Sequence, residues 1–360
     1  MEDLLREKVG QLFLVGLSGE TISRDERLQL EEYNFGGFVL FKRNCGEAAQ
    51  VASLCRALWS MGVKLPPFIA IDQEGGRVHR LPPPFTHFPA AARIGAQNNP
   101  ELAYRAGRAA ASELSLAGIN LNFAPVLDVR SNPDSPIIGD RAFAADPHAV
   151  TALGWSWSQG LREGGIIPCG KHFPGHGRAD KDSHFELPVV TEPLDVLKAA
   201  ELTPFVHACR NQIEALMTAH VLYPALDSRW PATLSERIIT GLLRQELGYG
   251  GVVFSDDMEM HAISNRHSVE ESALRAVSAG VDILLFCHEL ARAVQACAFL
   301  CARSARDAAL RARVEESHAR ITRLKRRYLT AFTGADQETI IERLGRLDHA
   351  RVAAEIYGSL

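Results

Sequence analysis

The chain contains no CxxC pair, and its seven cysteines (Cys45, Cys55, Cys169, Cys209, Cys287, Cys297 and Cys301) are odd in number. Both facts argue against a disulfide framework or a zinc ribbon and lead us to expect reduced, mostly buried thiols. No apolar stretch approaches the roughly 20 residues that cross a bilayer. The opening MEDLLREKVGQLFLVGL begins with acids and lacks the basic start and cleavage site of a secretory signal, so a cytoplasmic location is expected. No long run of one charge occurs; Lys and Arg number 39 against 43 Asp and Glu, a formal balance of −4. Nothing here calls for nucleic acid or a membrane as partner. No internal repeat, low-complexity tract or linker divides the 360 residues. One domain over 1–360 is therefore expected, with 290–360 as C-terminal helices packed on it.

What is present is an alternation. Eight short apolar runs recur: QLFLVGL from Gln11, GGFVLF from Gly36, FIAID from Phe68, LNFAPVLDV from Leu121, PCGKHF from Pro168, EALMTAHVLY from Glu214, GVVFSDD from Gly251 and DILLFC from Asp282. Most are continuously hydrophobic, as parallel strands covered on both faces should be. Helical segments separate them, such as 101–118, 147–165 and 192–212. Gly118 and the Gly164–Gly165 pair stand where left-handed caps would end two of these helices, and Pro193 suits a first turn. Eight such units predict an α/β fold of the (β/α)8 barrel type, although a doubly wound sheet shows the same alternation. A dinucleotide-binding sheet is disfavoured, because no GxGxxG follows the first run.

Polar residues interrupt these runs at their C-terminal ends: Asp72, Asp128, Lys171 with His172, His220, and Asp256 with Asp257. Charge inside a strand is costly unless paired or solvated, whereas the C-terminal rim of a parallel barrel is where side chains converge on a substrate. The segment from Lys171 to His184, KHFPGHGRADKDSH, carries Pro174, Gly175 and Gly177, which prevent a helix. Asp182 lies two residues before His184, close enough to accept from one imidazole nitrogen and set the tautomer for proton transfer. His172, His176, Asp182 and His184 are also competent zinc ligands, and spacing alone leaves a metal open, although the helical HExxH arrangement is absent. Asp256 or Asp257 could serve as a carboxylate nucleophile toward an anomeric carbon. Residue order does not choose between them.

Three motifs together, IDQEGGRVHR from Ile71, KHFPGHGRADKDSH from Lys171 and FSDDMEM from Phe254, resemble the signatures of glycoside hydrolase family 3. The nearest likeness is to its single-domain bacterial β-N-acetylglucosaminidases of cell-wall recycling, and it runs from the N-terminal region to about Leu290. The resemblance implies a retaining exo-glycosidase on a (β/α)8 barrel, with Asp256 as nucleophile and His184, paired with Asp182, as general acid/base. It implies sugar binding by Asp72, Arg80, Arg141, Lys171 and His172, no metal and no organic cofactor. The substrate it suggests is a small carbohydrate, non-reducing GlcNAc on anhydro-N-acetylmuramic acid of a muropeptide, handled by a monomer. Asp128, His176 and His220 fall near the site without an assigned step. Alternatives are a GlcNAc phosphorylase, another family 3 β-glycosidase, a zinc-dependent amidohydrolase-like barrel and a catalytically silent carbohydrate-binding barrel.

Overall fold

Each apolar run becomes a strand of a closed parallel barrel in the computed structural model, which describes residues 2–62, 64–346 and 348–358. The strands are β1 (Phe13–Gly16), β2 (Gly37–Leu40), β3 (Phe68–Ile71), β4 (Leu121–Asn122), β5 (Ile167–Phe173), β6 (Ala215–Thr218), β7 (Val252–Asp257) and β8 (Ile283–Phe286). They pair in chain order, and β1 closes on β8 with Leu14 opposite Leu285. This is the (β/α)8 architecture. Every strand residue is buried except Asp256, so both faces of the sheet are covered. Phe254 on β7 meets Phe68 on β3 at 6.2 Å and Phe123, just after β4, at 5.7 Å between ring centroids. Neither strand neighbours β7, so these rings pack across the barrel interior.

Two segments depart from the expectation. The fourth run was expected as one strand, but regular pairing stops at Asn122, because Pro125 has no N–H to donate and the chain continues only through isolated bonds such as Leu127 N to Lys171 O at 2.7 Å. The segment 192–212 forms two helices, Leu194–Ala199 and Thr203–Arg210, with Pro193 just ahead of the first. The break turns Glu201 inward, fully buried, and Pro204 suits the first turn of the second helix. Elsewhere the caps match the residues: helix Pro100–Ala117 starts on the Asn99 side chain and ends at Gly118 with φ +85°, and helix Pro147–Glu163 starts on Asp146. All seven thiols are free and six are buried. Among the described residues no helix is long and apolar enough to cross a membrane.

The barrel's N-terminal end is sealed by helix Ala308–Tyr328. Its Arg313 and Arg320 reach the buried Asp282 carboxylate at 2.8 and 3.1 Å, where Arg244 also binds at 2.6 Å. Helices Gln337–Arg346 and His349–Gly358 pack against the outer helices Ala48–Trp59 and Pro100–Ala117.

Candidate active site

The C-terminal strand ends open into a cavity of about 520 Å³ lined by Asp72, Glu74, Arg80, Arg141, Lys171, His172, His176, Asp182, His184, Asp256, Asp257 and His288, among others. All eight residues expected at the site therefore line one cavity. Of their supporting contacts only the Asp182–His184 pair was foreseen.

Lys171 leaves β5 almost fully buried, and its Nζ lies 2.6 Å from both Asp72 Oδ1 and Glu74 Oε1. Arg141, from the short turn Gly139–Arg141, grips Glu74 with two parallel bonds of 2.9 and 2.8 Å. Two cations thus share two carboxylates at the floor of the cavity. Burial alone would raise the Glu74 carboxyl, but Arg141 and Lys171 outweigh it and hold the group well below the usual range. Burial likewise opposes charge on Lys171, yet Asp72 and Glu74 raise it further into the cationic state. Much of Arg141's donor capacity is spent on Glu74 and on the Ile137 carbonyl. Arg80 is in the opposite condition: its Nε is buried without a hydrogen-bond partner among the described residues.

His172 is oriented by Asp128, which is fully buried and accepts its Nδ1–H at 2.6 Å. Asp128 also accepts the backbone N–H groups of His172 and His176, the latter at 2.7 Å. Burial would raise this carboxyl, but the His172 imidazole and these N–H groups bring it down. Asp128 is thus the anchor from which the β5 loop departs. His220 plays a similar part on β7: its Nε2 donates to the Asp257 carbonyl at 2.9 Å and its Nδ1 meets Thr233 Oγ1 at 2.8 Å. Burial pushes this imidazole below its ordinary value, which suits a neutral ring holding backbone.

Asp256, next to last in β7, lines the cavity, and one of its oxygens accepts the Asp257 N–H at 2.8 Å. Burial would raise its carboxyl; His220, His172 and that N–H outweigh the burial and keep it lowered. Asp257 serves the scaffold, accepting the N–H groups of Glu259 and Cys287 at 3.1 and 3.3 Å, and its other oxygen lies 3.3 Å from His288 Nε2. Geometry therefore separates the two aspartates that residue order left equivalent.

The β5 loop carries the histidine pair outward. Gly177 has to be glycine, because a Cβ there would stand 1.6 Å from the Val129 carbonyl oxygen. Tyr223 donates to the Gly175 carbonyl at 2.6 Å, Arg178 pairs with buried Glu201 at 2.8 Å, and Ala262 N reaches the Ser183 carbonyl at 3.2 Å. At the tip Asp182 accepts both the backbone N–H and the Nδ1–H of His184, at 2.8 and 2.7 Å. The His184 side chain lines the cavity and is 62% exposed, and its Nε2 has no partner among the described residues. His176 turns the other way: its Nε2 faces Ser183 Oγ at 3.3 Å, and burial together with His172 pushes it down to about 4. Of the four potential zinc ligands, His172 engages Asp128, His176 faces Ser183, and Asp182 and His184 engage each other; among the described residues no group of three or more His, Cys, Asp or Glu side chains gathers to hold a metal.

Sequence reasoning missed Glu74 and His288. Glu74 stands inside a quoted motif, where a second acid two residues after Asp72 was a signal left unused. His288 directly follows Cys287 at the end of the eighth run, the same strand-end position that marked the other candidates, and that signal too was left unused.

A family model, the glycosyl hydrolase family 3 N-terminal domain, matches residues 4–324. A beta-hexosaminidase of Thiobacillus denitrificans is 40% identical over 281 residues, covering 76% of this chain and 77% of that protein. Among solved structures, a glycoside hydrolase family 3 beta-N-acetylglucosaminidase from Paenibacillus superposes with a TM-score of 0.87 at 40% identity, over 94% of this chain and 68% of the other. NagZ from Neisseria gonorrhoeae, solved in complex with N-trifluoroacetyl-D-glucosamine, superposes with a TM-score of 0.81 at 31% identity, over 96% and 97% of the two chains.

Proposed function

The chain belongs to glycosyl hydrolase family 3 and is a glycoside hydrolase of the β-N-acetylglucosaminidase kind; from that premise we propose a retaining exo-mechanism run by Asp256 and the Asp182–His184 pair. The observation that carries the proposal is the contrast between these groups within one cavity. Asp256 is held anionic near the end of β7, while His184 is an exposed imidazole whose Nδ1 is committed to Asp182.

In the first half-reaction an Asp256 oxygen attacks the anomeric carbon as the bond to the leaving oxygen breaks. His184 Nε2 gives that oxygen its proton, and Asp182 stabilises the imidazolium through Nδ1–H. In the second, neutral His184 takes a proton from water at Nε2 as the water oxygen attacks the same carbon, and the bond to Asp256 breaks. Two inversions give net retention. Lys171, Asp72, Arg80, Arg141 and His172 bind the sugar: Asp72 accepts from hydroxyls, and the cations donate to hydroxyl or acetamido oxygens. Lys171 and Arg141 act from fixed positions, because Glu74 and Asp72 already hold them.

The natural substrate we propose is non-reducing GlcNAc on a muropeptide fragment, cleaved in the cytoplasm by a monomer acting as one catalytic domain without metal or organic cofactor. Similarity to the hexosaminidases supports this substrate. A screen of aryl β-glycosides differing only in the sugar tests the sugar assignment. Selective kcat/KM for the GlcNAc compound is expected, and equal or better turnover of the glucoside or xyloside would overturn it.

A further inference from the structure

The loop that bears Arg80 is held by a relay that starts beyond the family match. Helix His349–Gly358 lies past residue 324, where that match ends. Its first residue, His349, points Nδ1 at Glu113 Oε1 over 3.0 Å. Glu113 is buried in helix Pro100–Ala117, and Thr86 donates to its two oxygens through the backbone N–H at 2.8 Å and Oγ1 at 2.5 Å. The next residue, His87, directs Nε2 to the Gly76 carbonyl at 2.7 Å and stacks on His79 with ring centroids 4.2 Å apart. Phe88 O accepts the Gly76 N–H at 2.8 Å.

His79 Nδ1 in turn meets Gln73 Nε2 at 2.7 Å, and Gln73 Oε1 accepts the backbone N–H of Arg80 at 2.8 Å. Because Gln73 presents its NH₂ to His79, that imidazole must accept at Nδ1 and be neutral. Its burial, with His87 beside it, pushes it down to about 4. Every link of this chain is a hydrogen bond, a ring stack or one step along the backbone. It ends on the cavity-lining arginine whose Nε has no partner among the described residues.

We propose that His349 is a positioning residue: through Glu113 and Thr86 it holds the 73–88 loop so that Arg80 presents its guanidinium to the bound sugar. The proposal rests on the reading of Arg80 as a sugar-binding group. It gives the C-terminal helix a part in substrate affinity that the family-matched region does not contain. A geometric role predicts a specific signature, since a loosened arginine weakens binding while Asp256 and His184 keep their places.

The test is steady-state kinetics on an aryl β-GlcNAc for the wild type, His349→Ala, His349→Gln, Arg80→Ala and the His349→Ala/Arg80→Ala double variant, with melting midpoints for each. His349→Ala is expected to raise KM roughly 5- to 20-fold with kcat within about twofold. His349→Gln, which keeps a donor, should recover most of the loss. In the Arg80→Ala background, itself raised in KM, removing His349 should add little. If Arg80→Ala leaves KM unchanged, the sugar-binding reading fails. If Arg80→Ala raises KM while His349→Ala does not, or if the two effects are fully additive, the positioning proposal fails. Should His349→Ala lose its helix packing, Thr86→Val, which deletes only the hydroxyl donor to Glu113, must move KM in the same direction. Unchanged KM in that variant also overturns it.

Discussion

Asp256 and His184 show how one cavity can hold two opposite kinds of group. The carboxylate is fixed by its strand and by a backbone N–H, whereas the imidazole stands 62% exposed on a loop tip. Asp256→Ala is expected to lower kcat about 10⁴-fold or more in a folded protein, checked by turnover of an aryl β-GlcNAc. His184→Ala should cost roughly 10²–10⁴-fold with poor leaving groups and less in the glycosylation step with an activated phenol. A pre-steady-state burst reads that difference. Glu74 has a structural counterpart: Glu74→Gln leaves Lys171 and Arg141 short of a buried carboxylate, and a loss of about 3–5 kcal/mol in denaturant unfolding is expected. Its folded-state value is depressed, so this contribution is complete above the unfolded value of about 4.3 and is lost as pH falls below it. The wild type's advantage over Glu74→Gln should therefore shrink on acidification below about pH 5. The Asp256–Asp257 pair and the Asp182–His184 pair were legible as candidates because they interrupt an apolar run or sit two apart in a loop, and only the family resemblance chose Asp256. Glu74, Asp128 and His220 had partners 44 to 97 residues away or on backbone atoms, which spacing does not encode.

The elements were legible where a single physical signal dominated. Continuous apolar runs marked all eight strands, and Gly118 and the Gly164–Gly165 pair marked helix ends, because burial and capping act within a few residues. The signal failed where a tertiary partner overrode it. Segment 192–212 reads as one helix until buried Glu201 is drawn to Arg178 of the β5 loop, and β4 is cut short by Pro125. The same loop supplies a prediction at this scale. Gly177→Ala places a methyl against the Val129 carbonyl, so the loop must shift away from the strand ends. We expect activity to fall at least tenfold, since displacements near 1 Å at a reacting group cost about 100-fold. Circular dichroism should show the barrel intact; full activity would mean that the loop's path does not matter.

At the scale of the molecule, helix Ala308–Tyr328 closes the barrel's N-terminal end with a lysine that meets no carboxylate among the described residues. Lys325 is fully buried, donates to Gln11 Oε1 and the Gly36 carbonyl at 2.7 Å each, and lies 4.9 Å from the Phe68 ring centroid. Burial pushes it down to about 7. The unfolded chain then binds more protons than the folded one between about pH 7 and 10.4, so this residue makes stability rise with pH across that window, by up to about 1.4 kcal/mol per unit. Lys325→Met should remove that slope, as denaturant midpoints at pH 7, 8 and 9 would show. The eight strand–helix units of the sequence pointed to a closed barrel, but nothing in them showed that helix Ala308–Tyr328 would seal its N-terminal end. Its inward contacts, Lys325 with Gln11 and Arg313 with Asp282, span 314 and 31 residues. The reaction assigned to the molecule is tested most directly by trapping its intermediate. His184→Ala, exposed to an activated aryl β-GlcNAc, should form the glycosyl-enzyme and hydrolyse it slowly. Intact mass should rise by one GlcNAc residue, and peptide mapping should place it on Asp256. An adduct on another residue, or sustained turnover by Asp256→Ala, would contradict the account.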